Sequence, residues 1–189
     1  MKVSREQAAE NRERIVSVAG RLFRERGFDG IGVADIMAAA GLTHGGFYGH
    51  FKSKDDLAAE ACARALDASL QKWNAVIEGG ANPLKTITDS YLSVRHRDGP
   101  GDGCVISALG SDAARQDKSV RRAVTEGLEN LVDRLTKLMP GSKAAKRRKA
   151  LVSFAAMVGA VSMARAVDDP DLSEEILRAV SLSLAANTR

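Results

Sequence analysis

Cysteine is nearly absent. The 189-residue chain has two, Cys62 and Cys104, far apart and outside any CxxC or Cys/His cluster. Neither a disulfide framework nor a structural zinc site is indicated, and a reducing cytosol is the expected compartment. The start, Met1 to Glu10, is polar and lacks the apolar core of a signal peptide. Long apolar runs are missing too: the most apolar stretch, Ala150 to Ala164, contains Ser153, Gly159 and Ser162 and is short for a membrane span. It reads as a buried helix, and no membrane partner is expected. No segment alternates apolar and polar residues as a half-buried strand does, so the expected fold is all-α. Catalytic signatures are also lacking. His44-Gly45-Gly46 resembles the oxyanion glycines of esterases, but no G-x-S-x-G nucleophile turn occurs. His44, His50 and His96 have no E-x-x-H or Cys partner. No enzyme activity, metal or cofactor is therefore expected.

What is present is enough apolar material to build a core, 44% of residues, with a formal charge of +4. The excess lies early: residues 1 to 54 hold nine Lys/Arg against six Asp/Glu. A basic N-terminal segment makes an anionic partner plausible without naming it.

Ile15, Val18, Ala19, Leu22 and Phe23 recur at the spacing of one helical face, which predicts an amphipathic helix over about residues 5–26, closed by Gly27. A short helix carries Val33, Ile36, Met37 and Ala40. After the turn Ala40-Gly41-Leu42-Thr43, a second short helix carries Phe47 and Phe51 at i and i+4. Ser53 with Asp56 forms a capping-box pattern and starts a long helix running from Lys54 towards Ile77. Asn82-Pro83 opens the next, which ends in the glycine-rich stretch Arg95 to Gly103, read as a loop. Val124, Leu128, Leu131, Leu135 and Leu138 give an apolar seam, a further helix spans about Lys143 to Val167, and Asp171 with Glu174 is the expected cap of the last one. Lys146-Arg147-Arg148-Lys149 reads as a solvated helix face rather than a second nucleic-acid patch.

Helix, glycine-containing turn, short helix is the helix-turn-helix pattern, whose second helix enters the major groove of DNA. Phe47 and Phe51 face inward, leaving Thr43, His44, Gly45, Gly46 and Tyr48 outward. Thr43 can cap that helix and help hold a phosphate. The paired glycines allow close backbone approach, and Tyr48, His50, Lys52 and Lys54 offer donors to phosphate oxygens. The ordered set Ala40-Gly41, Thr43, Tyr48-Gly49-His50-Phe51, Lys52-Ser53-Lys54, Asp55-Asp56-Leu57 resembles the TetR family of bacterial repressors. The resemblance covers roughly residues 10 to 60. It implies about nine helices: a three-helix DNA-binding domain over 1–53, and a ligand-binding and dimerisation domain over 54–189. It also implies contact with a double-stranded DNA operator through Thr43, His44, Gly45, Gly46, Tyr48, His50 and Lys54, to which the donor Lys52 adds an eighth expected contact, and a homodimer through the two C-terminal helices. Gly32 replaces the family's usual Thr or Ser cap, Gly46 stands where Thr or Ser is common, and Gly49 replaces a larger residue.

For a small-molecule effector, Trp73, Tyr91, Cys104, Phe154, Met157 and Met163 are the residues able to line a pocket, each equally able to be plain core. The expected function is a ligand-responsive repressor. Two alternatives stay open. Gly103-Cys104-Val105 resembles a junction in a subgroup of these repressors, some of which sense electrophiles or oxidants, so Cys104 following a flexible loop is a possible reactive thiol. A ligand-independent DNA-binding protein is the other.

Overall fold

The structure, a computed structural model, describes residues 4–186, and every regular element among them is helical. Helix α1 (Arg5–Arg26) starts where the Ser4 hydroxyl accepts the Gln7 N–H. It buries Ile15, Val16, Ala19, Leu22 and Phe23, and closes with the Gly27 N–H on the Phe23 carbonyl. Burying side chains of that size contributes roughly 1.5–3 kcal/mol each. In α2 (Val33–Ala39), Gly32 offers no capping side chain, and Asp35 compensates by accepting the Gly32 N–H. The next element, His44–Gly49, is a 3-10 helix rather than the expected α-helix, and Phe51 lies just past its end. Three glycines in six residues are poor α-helix formers, and the shorter bond from Gly46 N–H to the Thr43 carbonyl closes the turn. The Thr43 side chain makes no capping bond, contrary to expectation.

Helix α3 (Lys54–Gly79) begins on the expected Ser53 cap, with Asp56 reaching back to the Lys52 N–H. Its first half completes the N-terminal unit: Leu57, Ala58 and Ala61 are buried, Arg12 pairs with Glu60, and Arg64 pairs with Glu13. It also packs extensively against α7 (Lys118–Leu138). Contact is close where Gly127 meets Leu66; a Cβ there would lie 2.7 Å from that of Leu66.

Helix α4 (Pro83–Tyr91) takes the expected Asn82 cap but stops four residues before Arg95. The Ser93 hydroxyl accepts the His96 N–H and starts a separate helix α5 (Val94–Asp98). The stretch expected to be a loop is thus α5 followed by a 3-10 turn, Pro100–Asp102. Helix α6 (Val105–Ala113), absent from the sequence expectation, then packs on α1, α7 and α8. Helix α8 (Lys143–Ala166) has the predicted extent, and α9 (Pro170–Ala186) follows. The cap of α9 is Asp169, which accepts the N–H groups of Asp171 and Leu172; Pro170 needs no partner at the first position, so the helix starts earlier than an Asp171 cap would allow.

Helix α8 is long and apolar enough to cross a membrane by length and composition, with a mean hydropathy of 1.3 over its most apolar window, of which 33% is buried. The expectation of a buried helix holds for one face only. Ala150, Phe154, Met157, Val161 and Ala164 point into the core, whereas Leu151, Val152 and Met163 face outward.

Candidate nucleic-acid interface and effector cleft

Phe47 and Phe51 fix the 3-10 helix from beneath. Their rings stack with centroids 5.6 Å apart, and both are buried. The Arg12 guanidinium covers Phe51 at 4.6 Å while pairing with Glu60, which ties the element to both α1 and α3. On the other side, Tyr48 is 69% exposed, steadied by edge contacts with Phe47 and His44. Thr43, His44, Gly45 and Lys52 are exposed; Gly46, His50 and Lys54 are half-buried. All eight predicted contact residues therefore lie on one short segment and its edge. A Cβ at Gly45 or Gly49 would meet nothing within 4 Å, so the protein's own packing does not require glycine there. The convex turn presents bare backbone, an aromatic donor and cationic flanks. Arg12 is the residue that sequence reading missed, because its partner Phe51 is distant in the chain.

A second concave feature of about 430 Å³ opens between α3, α4, α5 and the 99–104 segment. Trp73, Tyr91 and Cys104 line it as expected. Phe154 stands behind them, edge-on to both Trp73 and Tyr91. Met157 is fully buried elsewhere in the core and Met163 is exposed, so neither lines the cleft. The remaining lining includes Ser69, Lys72, Ser93, Arg95, His96 and Asp102. Cys104 is 6% exposed, which corrects the expectation of an accessible thiol on a flexible loop. His96 is why the loop is ordered. Its Nδ1–H donates to the Tyr91 carbonyl at 2.6 Å, and its Nε2 accepts the Cys104 N–H at 2.9 Å. That pairing requires the neutral imidazole, and burial pushes the His96 pKa down. Burial likewise raises the Tyr91 phenol well above its usual range, beside Cys104 and Ser107.

The cleft wall touches the N-terminal unit directly. Arg24 of α1 donates to the carbonyl of Gly101, and the backbone there approaches so closely that a Cβ on Gly101 would lie 2.4 Å from Glu25 Oε1. Behind the floor, Arg165 of α8 donates to the carbonyls of His96 and Arg97. The 96–104 segment is thus tied to α1 and α8 through charged hydrogen bonds.

Among the described residues the fold is all-helical, with a helix-turn-helix at one end and a cleft-bearing helical unit built on α3, the helix that follows it. The family described as "Bacterial regulatory proteins, tetR family" matches residues 15–61, and over this segment the chain is similar to that family. The repressor KstR2 of Mycolicibacterium smegmatis is 30% identical over 95 residues, 48% of this chain and 46% of the relative. The chain spans about half the length of the curated relatives it matches. Among solved structures, reduced NemR of E. coli superposes with a TM-score of 0.82 at 20% identity, covering 95% of this chain and 97% of that one. A structure of AibR with isovaleryl coenzyme A and operator DNA gives 0.63 at 18% identity, covering 92% and 97%. At these identities the two structural likenesses establish the fold alone.

Proposed function

We propose that the chain is a homodimeric transcriptional repressor that binds a palindromic operator and is released by a small molecule entering the cleft. The observation that carries the reading is the His44–Gly49 turn, locked from below by Phe47, Phe51 and Arg12 while Tyr48 and bare glycine backbone face out. Residues 1–53 form the reading unit and 54–189 the sensor, with the first half of α3 serving both. Two copies joined through α8 and α9 bury the outward Leu151, Val152, Met163, Leu172 and Leu182, and set two recognition elements about 34–36 Å apart for successive major grooves. KstR2 is named as a repressor, and the AibR structure holds both isovaleryl coenzyme A and operator DNA, which supports the same division of labour here. The protein then acts in the cytoplasm on its own promoter region.

Ligand in the cleft acts on α3, and through Gly101 on α1, changing the separation of the two reading elements so that both halves no longer dock together. A ligand-independent DNA binder has no use for a cleft of this size wired to α1, and the buried Cys104 favours ligand occupancy over direct thiol sensing. The test is fluorescence anisotropy with promoter DNA and a scrambled duplex at fixed salt, with Tyr48→Ala beside the parent. Selective binding lost in the variant is the expected result; equal weak binding to both duplexes overturns the reading.

A further inference from the structure

Five of the eight aromatic residues lie within residues 1–53; the other three, Trp73, Tyr91 and Phe154, come from three different helices. They meet at one place. Trp73 and Tyr91 each face Phe154 edge-on, with centroids 5.9 and 6.0 Å apart, and His96 extends the row against Tyr91 at 4.5 Å. The three rings are largely buried, Trp73 keeping 9% and Tyr91 6% of its surface exposed. Here Trp73, Tyr91 and His96 wall an open cleft whose volume, about 430 Å³, suits a small ligand.

The polar atoms on that wall are mostly committed. Both nitrogens of His96 are engaged with backbone. The Ser69 and Ser93 hydroxyls donate to the carbonyls of Ala65 and Ser90. Asp102, the only acid lining the cleft among the described residues, lies within the field of Arg24. Lys72 and Arg95 are different: both are exposed on the lining, and neither has a carboxylate partner among the described residues. Arg165 behind the floor adds a further positive charge. The cleft thus combines edges and faces of aromatic rings with a cationic mouth, and the buried Tyr91 hydroxyl is the neutral donor left without a hydrogen-bond partner among those just described.

We infer that this cleft takes an aromatic carboxylate, its ring against Trp73 and Tyr91 and its carboxylate held by Lys72 and Arg95. The inference names the effector class for the regulator proposed above and rests on that reading for its biological meaning. The binding itself is tested separately. Calorimetric titration of the full chain uses 2-naphthoate, the neutral 2-naphthamide, the cation 2-naphthylmethylamine, and cyclohexanecarboxylate, which keeps the charge but not the flat ring. Naphthoate is expected to bind at least about tenfold tighter than each of the other three. Lys72→Gln and Arg95→Gln each weaken naphthoate, while Lys137→Gln, exposed on α7, leaves it unchanged. The inference is overturned if amide and carboxylate bind alike, if the cation is preferred, if the saturated ring binds as well, if Lys137→Gln weakens binding as much as the cleft variants, or if naphthoate gives no saturable heat. Anisotropy with promoter and scrambled DNA on the same preparation separates the two readings. Selective DNA binding without carboxylate preference removes only the effector class; carboxylate preference without selective DNA binding removes only the repressor.

Discussion

Arg24 Nε donates to the carbonyl oxygen of Gly101 at 2.9 Å, and Nη2 of the same guanidinium donates to that oxygen as well. The two residues sit 77 positions apart in the chain. One belongs to the helix that supports the DNA reader, the other to the segment that walls the cleft.

Arg24→Ala leaves the Gly101 carbonyl without its charged donor. The expected cost is about 1–3 kcal/mol, which for a chain of this length lowers Tm by roughly 2–4 °C per kcal/mol. Thermal unfolding checks the cost. Operator titrations with and without ligand check the coupling, which is expected to shrink more than DNA affinity does.

Gly45→Ala separates folding from DNA contact. The added Cβ meets no protein atom within 4 Å, and the residue does not have positive φ. The variant is expected to be more stable by about 0.4–1 kcal/mol, because alanine restricts the unfolded chain. If the glycine serves backbone approach to DNA, the same variant binds its operator more weakly. A variant that is more stable and binds equally well removes that role.

His96 gives the fold a pH dependence of definite sign. Burial lowers its pKa in the folded chain, whereas the unfolded chain takes up the proton near pH 6.5. The unfolded state therefore binds more protons just below that pH, so stability falls as pH drops through about 6.5 and levels once the folded group titrates. Urea midpoints measured across this range check it, and His96→Gln removes the step. Glu13 and Asp98, held low by hydrogen bonds from Arg64 and Arg97, lose their contribution only at much lower pH, at and below the usual carboxylate range.

Neither thiol is expected to react quickly in the native protein. Cys62 is 2% exposed and burial pushes its pKa up to about 12, while Cys104 is 6% exposed with its backbone N–H bound to His96. Labelling by a disulfide reagent at mildly alkaline pH should be slow for both and become rapid in denaturant. Fast native labelling of Cys104, absent in Cys104→Ser, would restore the thiol-sensing alternative.

The helices with strong apolar periodicity were legible from residue spacing: α1, α3 and α8 begin and end within a few residues of their expected bounds, and α7 ends at Leu138 with the seam but begins at Lys118, six residues before Val124. The turn carrying Thr43 to Lys54 was legible as an exposed segment backed by Phe47 and Phe51 because its residues are contiguous. The cleft was not. Its wall is assembled from Trp73 on α3, Tyr91 on α4 and Cys104 at the start of α6, and nothing in local periodicity brings those segments together. Glycines and a proline between Arg95 and Gly103 read as a loop because propensity counts residues and not partners. What orders the segment is the Ser93 cap, the His96 bridge and the Arg24 clasp, of which only the first is local.

Helix α3 has 26 residues, which at about 1.5 Å per residue makes a rod about 39 Å long. Ser69, Lys72 and Trp73 touch the cleft near one end of it, and Leu57 is set into the DNA-reading unit near the other. A tilt of roughly 5° about one end carries the other about 3 Å, close to the ~3.4 Å rise between successive bases along a DNA strand. On the proposed reading, a contact change in the cleft too small to disturb the core would be geared up to the scale on which the double helix is ruled.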